Sequence, residues 1–288
     1  MSFLKRFFKN LSITNWIILI DIVFFILVLI AFSSSFNADN SGAGNITNIN
    51  NPDFISKNIA FSWNNLVEGR IWTLVTSMFM HANFEHIFFN MFSLFFIGNF
   101  IEKLIGRRRF LLFYLIAGVF AAIIFGALSL IPYPMVFSTS GTAAVGASGA
   151  IFGLLGLLAV ITPKGRVYLL FGPLIAVILQ LTLQNFISGG IFYLISFLIT
   201  LYIFASIFTM FSFNPRTRKI ALPVGMPFWL LPIIAIVPLV IIGLFVQLPI
   251  GNTAHLGGLL AGLIYGLYLR MKYKKKVEVL NRMLERRR

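Results

Sequence analysis

Apolar residues in this chain gather into long runs, with neither the alternation of a half-buried strand nor the single stripe of a surface helix. Runs at roughly 15–33, 85–104, 110–131, 147–162, 167–187, 190–212, 225–247 and 254–271 are each read as a membrane-crossing helix, eight in all. About 20 apolar residues suffice to cross the ~30 Å hydrocarbon layer. Polar segments between the runs are short, with one exception at 34–83. The first part of that segment, Ser33 to Asn51, is rich in Asn, Ser and Gly and reads as a loop. Its second part, Ile55 to Met80, carries Trp63 and Trp72 among apolar residues and is expected at the membrane interface. The pattern predicts an all-α membrane protein, a polytopic helical bundle.

Charge fixes the expected orientation. Only 11% of residues are charged and 59% are hydrophobic, whereas a soluble domain carries about a quarter charged residues. The net charge of +15 raises the question of nucleic acid, but its distribution argues against that partner. Lys5, Arg6 and Lys9 precede the first run, and Lys103 with Arg107, Arg108 and Arg109 follows the second. Lys164 and Arg166 follow the fourth; Arg216, Arg218 and Lys219 follow the sixth; Arg270, Lys272, Lys274, Lys275 and Lys276 follow the eighth. If all eight runs cross, every cluster falls on one side, while the opposite segments hold little more than Lys57 and Arg70. The positive-inside rule then places both termini in the cytoplasm. The expected organisation is a cytoplasmic N-terminus at 1–14, a transmembrane domain at 15–271 and a basic cytoplasmic tail at 272–288 against anionic lipid. No small-x-small cleavage site follows the first run, so it reads as a membrane helix rather than a removed leader. Cysteine is absent, which removes thiolate chemistry and disulfides.

Polar groups inside apolar runs are costly, so each one asks for a reason. His81, His86 and His255 all fall near the outer end of a run. His86 and Asn90, four apart on one helix face, can donate hydrogen bonds towards a common point, or can simply tie two helices together. Ser148 lies in the small-residue stretch Gly146-Ala147-Ser148-Gly149-Ala150-Ile151-Phe152-Gly153, in which Gly149 and Gly153 form a close-packing pair. His255 lies near a glycine stripe of Gly258, Gly262 and Gly266 along the last run. Two glycine-faced helices can approach closely enough to bring the Ser148 hydroxyl and the His255 imidazole into hydrogen-bond reach, the minimal unit of an activated serine.

In combination and in this order, the H-x-x-x-x-H-x-x-x-N, G-x-S-G and A-H-x-x-G-x-x-x-G elements resemble the rhomboid family of intramembrane serine proteases. Gly98, Glu102 and Gly106 match that family's G-x-x-x-E-x-x-x-G stretch. The resemblance implies a six-helix core with a transmembrane hairpin inserted at about 167–212. It implies a catalytic dyad of Ser148 and His255, and oxyanion donors at His86, Asn90 and the Ser148 backbone N–H. Gly146, Gly149, Gly258 and Gly262 are expected to pack closely beside this site. Substrates would be membrane proteins with a transmembrane segment, cut towards the outer face of what is expected to be the cell membrane. Neither a metal nor a cofactor is expected.

The acid census points the same way. Of three Asp and five Glu, Asp39, Asp53 and Glu68 fall in the external segment, and Glu102, Glu278 and Glu285 in cytoplasmic ones. Asp21 is placed in the inner half of the first run, and Glu85 points about 100° away from His86. No acid is placed to orient His255, so a dyad is expected rather than a triad. Three positions depart from the family pattern. Phe152 stands where a tyrosine is common, the Trp-Arg pair of the first external loop is Trp72-Thr73, and 107 positions separate Ser148 from His255. A metalloprotease would need H-E-x-x-H, which the chain lacks, and an aspartyl protease two membrane Asp. The remaining rivals are a non-catalytic rhomboid-like protein that binds transmembrane helices and a transporter.

Overall fold

The computed structural model describes residues 11–31, 52–132, 138–184, 186–209, 217, 219–243 and 251–285. The basic residues Lys5, Arg6 and Lys9, the Asn-rich loop 33–51, Arg216 and Arg218 lie outside the described residues. Among the described residues, four helices are long and apolar enough to cross a membrane: α1 (Ile13–Ala31), α5 (Phe84–Ile105), α6 (Arg107–Leu128) and α9 (Gly189–Thr209). Between α1 and α5 the described residues form three short helices, α2 (Pro52–Asn58), α3 (Trp63–Val67) and α4 (Thr73–Thr76). After α6 come α7 (Ser148–Ile161), strand β1 (Arg166–Leu170), α8 (Phe171–Leu183), α9, strand β2 (Pro223–Pro227), α10 (Leu231–Gly243), α11 (Asn252–Lys272) and α12 (Lys274–Glu285). Large apolar side chains stand exposed along the long helices, among them Leu27 and Ile30 on α1 and Ile191 and Phe197 on α9. Such a surface suits lipid rather than water.

Two of the eight expected spans differ from the structure in extent. The run at 167–187 opens as β1, and only thirteen residues of it are helical. That is about 20 Å of helix, short of a full crossing. The run at 225–247 likewise opens as β2, with its α-helix starting at Leu231. The strands pair antiparallel, Arg166 with Pro227 and Leu170 with Pro223. An apolar run does not by itself distinguish helix from strand; Val167 and Tyr168 favour the extended form, and Pro223 and Pro227 bracket β2. The chain between the strands therefore departs and returns at one place. Its helices α8 and α9 pack through Ala176, Ile203 and Ile207 against Phe88, Phe89 and Phe92 of α5.

The core forms where α7 is enclosed by α6 and α11. Gly149 and Gly153 face α11, where a Cβ on Gly258 would overlap the Gly149 carbonyl oxygen and one on Gly262 the Gly153 carbonyl oxygen. The other flank of α7 meets Ala121 and Ala117 of α6, each 2.7 Å from where a Cβ on Gly149 or Gly153 would stand. Helices in lipid gain little from apolar burial against one another, so close backbone approach supplies the attraction. The start of α1 is fixed to α5 by Glu102, whose carboxylate accepts from Ile13 N at 2.9 Å, Thr14 N at 2.8 Å and Thr14 Oγ1 at 2.7 Å. Those backbone amides are among the four that a helix start leaves unpaired.

Candidate active site

The site is assembled at the N-terminus of α7, and its approach is held by backbone pairing. Phe61 and Ala144 exchange hydrogen bonds of 3.0 and 2.7 Å, and Gly146 N donates to Ser77 O at 2.8 Å. Gly146 adopts φ 119°, a conformation other residues rarely take. A Cβ there would also stand 2.7 Å from His86 Nε2 and 3.8 Å from Asn90 Nδ2. Both the backbone and the space beside His86 therefore require glycine. This loop delivers Ser148 as the first residue of α7. Its backbone N–H stands at the open helix end, where the macrodipole favours negative charge.

His255 sits one turn into α11 and is buried, with Nε2 2.9 Å from Ser148 Oγ. The Phe152 ring stacks on the imidazole, centroids 4.2 Å apart and planes 12° from parallel. The other ring nitrogen, Nδ1, is buried without a hydrogen-bond partner. Among the described residues, no carboxylate is paired with His255. If Ser148 Oγ–H donates to Nε2, the ring is neutral and carries its proton on Nδ1.

On α5, His86 Nδ1 lies 3.4 Å from Ala82 N and accepts from it, which leaves the proton on Nε2, the nitrogen beside Gly146. Asn90 Nδ2 gives one hydrogen to the His86 carbonyl at 2.9 Å and keeps a second to donate. Ser148 and His86 are half-buried, and Asn90 is buried. A nucleophile paired with a base, flanked by neutral donors and a helix N-terminus, is the composition that acyl transfer needs.

Sequence reasoning missed Asn65 and did not find the contacts made by Arg70, Trp72 and Asp21. Asn65, between α1 and α5, donates to Ser56 O at 2.6 Å and Ala60 O at 2.9 Å, and accepts from Arg70 Nη1 at 2.9 Å. Trp72 Nε1 donates to Asn58 O at 2.9 Å. With Thr73 at the usual arginine position, Asn65 and Arg70 anchor the loop. Asp21 lies beside His81, 3.7 Å from Nδ1 to Oδ1. Glu85 accepts from Thr200 Oγ1 of α9 at 2.9 Å, so it is engaged away from the site.

The rhomboid domain family model matches residues 68–199 and 199–272. The chain belongs to the rhomboid family. Its similar relatives include the "Rhomboid protease GluP" of Bacillus subtilis (strain 168), 37% identical over 101 residues, covering 35% of this chain and 18% of that protein. The "Putative rhomboid protease YdcA" of the same organism is 38% identical over 92 residues, covering 32% and 42% respectively. The "Inactive RHOMBOID-like protein 8" of Arabidopsis thaliana is 28% identical over 130 residues, 44% of this chain and 34% of that protein. The matched stretch thus spans less than half the length of these relatives. The family holds proteases and an inactive member alike, so membership makes this an integral membrane protein of rhomboid type and leaves activity to the site.

Proposed function

We propose that this rhomboid-family protein is an intramembrane serine endopeptidase that hydrolyses peptide bonds in or near transmembrane segments of membrane-protein substrates. The observation that carries the reading is the 2.9 Å approach of Ser148 Oγ to His255 Nε2 at the open end of α7. Ser148 attacks the scissile carbonyl while His255 takes its proton. The developing oxyanion is met by the Ser148 N–H, His86 Nε2–H and Asn90 Nδ2–H, each a neutral donor. His255 then returns the proton to the leaving amine, and water repeats the sequence on the acyl-enzyme. The chain supplies every group this scheme needs.

The orientation belongs to the same proposal. Eight crossings with both termini cytoplasmic put the N-terminus of α7 near the outer face, and α8 with α9 form the hairpin inserted into a six-helix core. The thirteen helical residues of α8 then cover about 20 Å of that passage. Lys164, which lies 3.0 Å from Glu285 of α12, and the exposed lysines of that helix would meet lipid headgroups on the inner side.

A serine-directed fluorophosphonate tests the nucleophile directly. Labelling of the native chain that disappears in Ser148→Ala and in His255→Ala supports the reading. A native chain that neither labels nor cuts a reporter with one transmembrane segment returns it to the helix-binding alternative.

A further inference from the structure

Asp21, at the ninth position of α1, and His81, just before α5, are both fully buried. The carboxylate and the imidazole face each other at 3.7 Å, His81 Nδ1 to Asp21 Oδ1. Neither Asp21 oxygen has a hydrogen-bond partner, and neither does His81 Nδ1. The phenol of Tyr114 on α6 is a third buried group with none. Buried polar atoms are rarely left unpaired without a role, and an acid inside a membrane helix still less so.

The far side of the His81 ring touches the site twice. Nε2 accepts from Ala147 N at 3.5 Å, and Ala147 is the residue before Ser148. The ring also packs edge-on against His86, centroids 5.1 Å apart at 72°. An imidazole that accepts at Nε2 is neutral and holds its proton on Nδ1. That proton lies on the nitrogen facing Asp21. A carboxyl oxygen there selects this tautomer over the other, in which an Nε2–H would confront the Ala147 N–H, donor against donor.

We propose that Asp21 is a positioning residue of the candidate site: by facing His81 Nδ1 with a carboxyl oxygen 3.7 Å away, it favours the Nδ1–H tautomer of a ring that holds both the backbone leading into Ser148 and the flank of His86. The inference rests on the reading of Ser148 as nucleophile. It differs from a triad acid, since Asp21 acts through His81 and His255 keeps no acid of its own. It also differs from a plain tie between α1 and the loop, which has no need of one particular tautomer.

The chain has three histidines, so nitrogen-15 spectra of histidine-labelled protein in bilayers resolve them one by one, with His86→Ala and His255→Ala completing the assignment. Native His81 is expected neutral with its proton on Nδ1. Asp21→Leu is expected to lose that signature, while Asp21→Asn, whose amide oxygen still accepts, retains it. Fluorophosphonate labelling of Ser148 should fall by about tenfold or more in Asp21→Leu, the range seen when an orienting partner is lost, and recover in Asp21→Asn. The proposal is overturned by a native His81 protonated on Nε2, or by Asp21→Leu labelling at the native rate. Should Asp21→Leu fail to fold, the native tautomer and the Asp21→Asn labelling rate decide the question. A native chain that does not label at all refutes the nucleophile reading, whatever the His81 spectrum.

Discussion

Gly258 offers the sharpest test of how packing and chemistry are joined, because the two nearest atoms that would block a side chain there belong to the residue after Ser148. In Gly258→Ala the new methyl carbon would overlap the Gly149 carbonyl oxygen, lie 2.8 Å from the Gly149 carbonyl carbon and 3.3 Å from Gly153 N. All three obstacles are backbone, so no rotamer relieves them. Ordinary contact begins at about 3.4 Å, and α11 must therefore back away from α7 by an amount on the order of 1 Å. His255 is three residues from Gly258 on the same helix and moves with it. Its 2.9 Å bond to Ser148 would then stretch beyond hydrogen-bond length. A misplacement of about 1 Å typically costs some 10²-fold in rate, and overpacking about 1–3 kcal/mol in stability. The expected result is fluorophosphonate labelling slowed roughly a hundredfold, with lowered thermal stability in detergent. Gly190→Ala is the control, since nothing lies within 4 Å of a Cβ there; it should label normally and gain up to about 1 kcal/mol from the better helix former. Native labelling by Gly258→Ala would refute the claim that the glycine contact sets the dyad distance.

Ser148→Ala and His255→Ala should each abolish cleavage while thermal unfolding stays close to native, because residues acting as a unit lose function together; a Ser148→Ala protein that folds and still cuts ends the serine-protease proposal. Asn90→Ala should lower turnover by about 10²–10³ with little change in KM, and a normal turnover would assign Asn90 to packing. Glu102→Ala strands the two buried donors of Thr14 and the part-buried Ile13 N–H at the start of α1 and should cost about 2–3 kcal/mol, read as a lower unfolding temperature; unchanged stability would refute its capping role. On this cysteine-free chain, a thiol reagent applied to intact cells should label Asn45→Cys and leave Thr217→Cys unlabelled until permeabilisation, and labelling at 217 from outside would refute eight crossings.

What could be read in the sequence was whatever local spacing determines. The uniformly apolar runs anticipated α1, α5, α6 and α9 closely, since a helix that buries every backbone polar group is the one open-ended structure lipid accepts. The same reasoning failed at 167–170 and 223–227, where a pair of strands closes by contacts across more than fifty residues. No periodicity within five residues records such a partner. The spacing of four that put His86 and Asn90 on one face, and Gly258, Gly262 and Gly266 on another, is helix geometry written directly in the chain. Asp21 was placed in the inner half of the first run, yet it reaches His81 at the edge of the external segment. Depth within a helix does not disclose which loop folds back against it. Glu102 stood in a recognisable motif, but that it caps α1 depends on Thr14 fitting over Gly98, where a Cβ would come within 2.7 Å of Thr14 Cγ2.

Among the described residues no acid stands beside His255, and the one beside His81 is buried without a hydrogen-bond partner. Burying a charge in this bundle costs most where it has fewest partners. A carboxylate on His255 would have to be kept charged next to a nucleophile, inside the interface between α7 and α11 that glycine has made too narrow for a Cβ. Phe152 instead lies over the face of the imidazole, stacked 4.2 Å from it at no electrostatic cost, and leaves the ring edge at Nδ1 unpaired. The loop side is less confined: His81, His86 and Asn90 enter from α5 and the turn before it, and Gly141, Thr142 and Ala143 stand exposed just ahead of Gly146. The proposed hydrolysis needs water at the acyl-enzyme, and on that proposal water would come from this side rather than through the glycine seam. The arrangement therefore separates two tasks. On the proposed mechanism the α7–α11 seam sets the distance between nucleophile and base, while the α5 side carries the donors and the approach of water. Substitutions along the seam should change rate and stability together, and substitutions on the α5 face away from His81 should change rate alone.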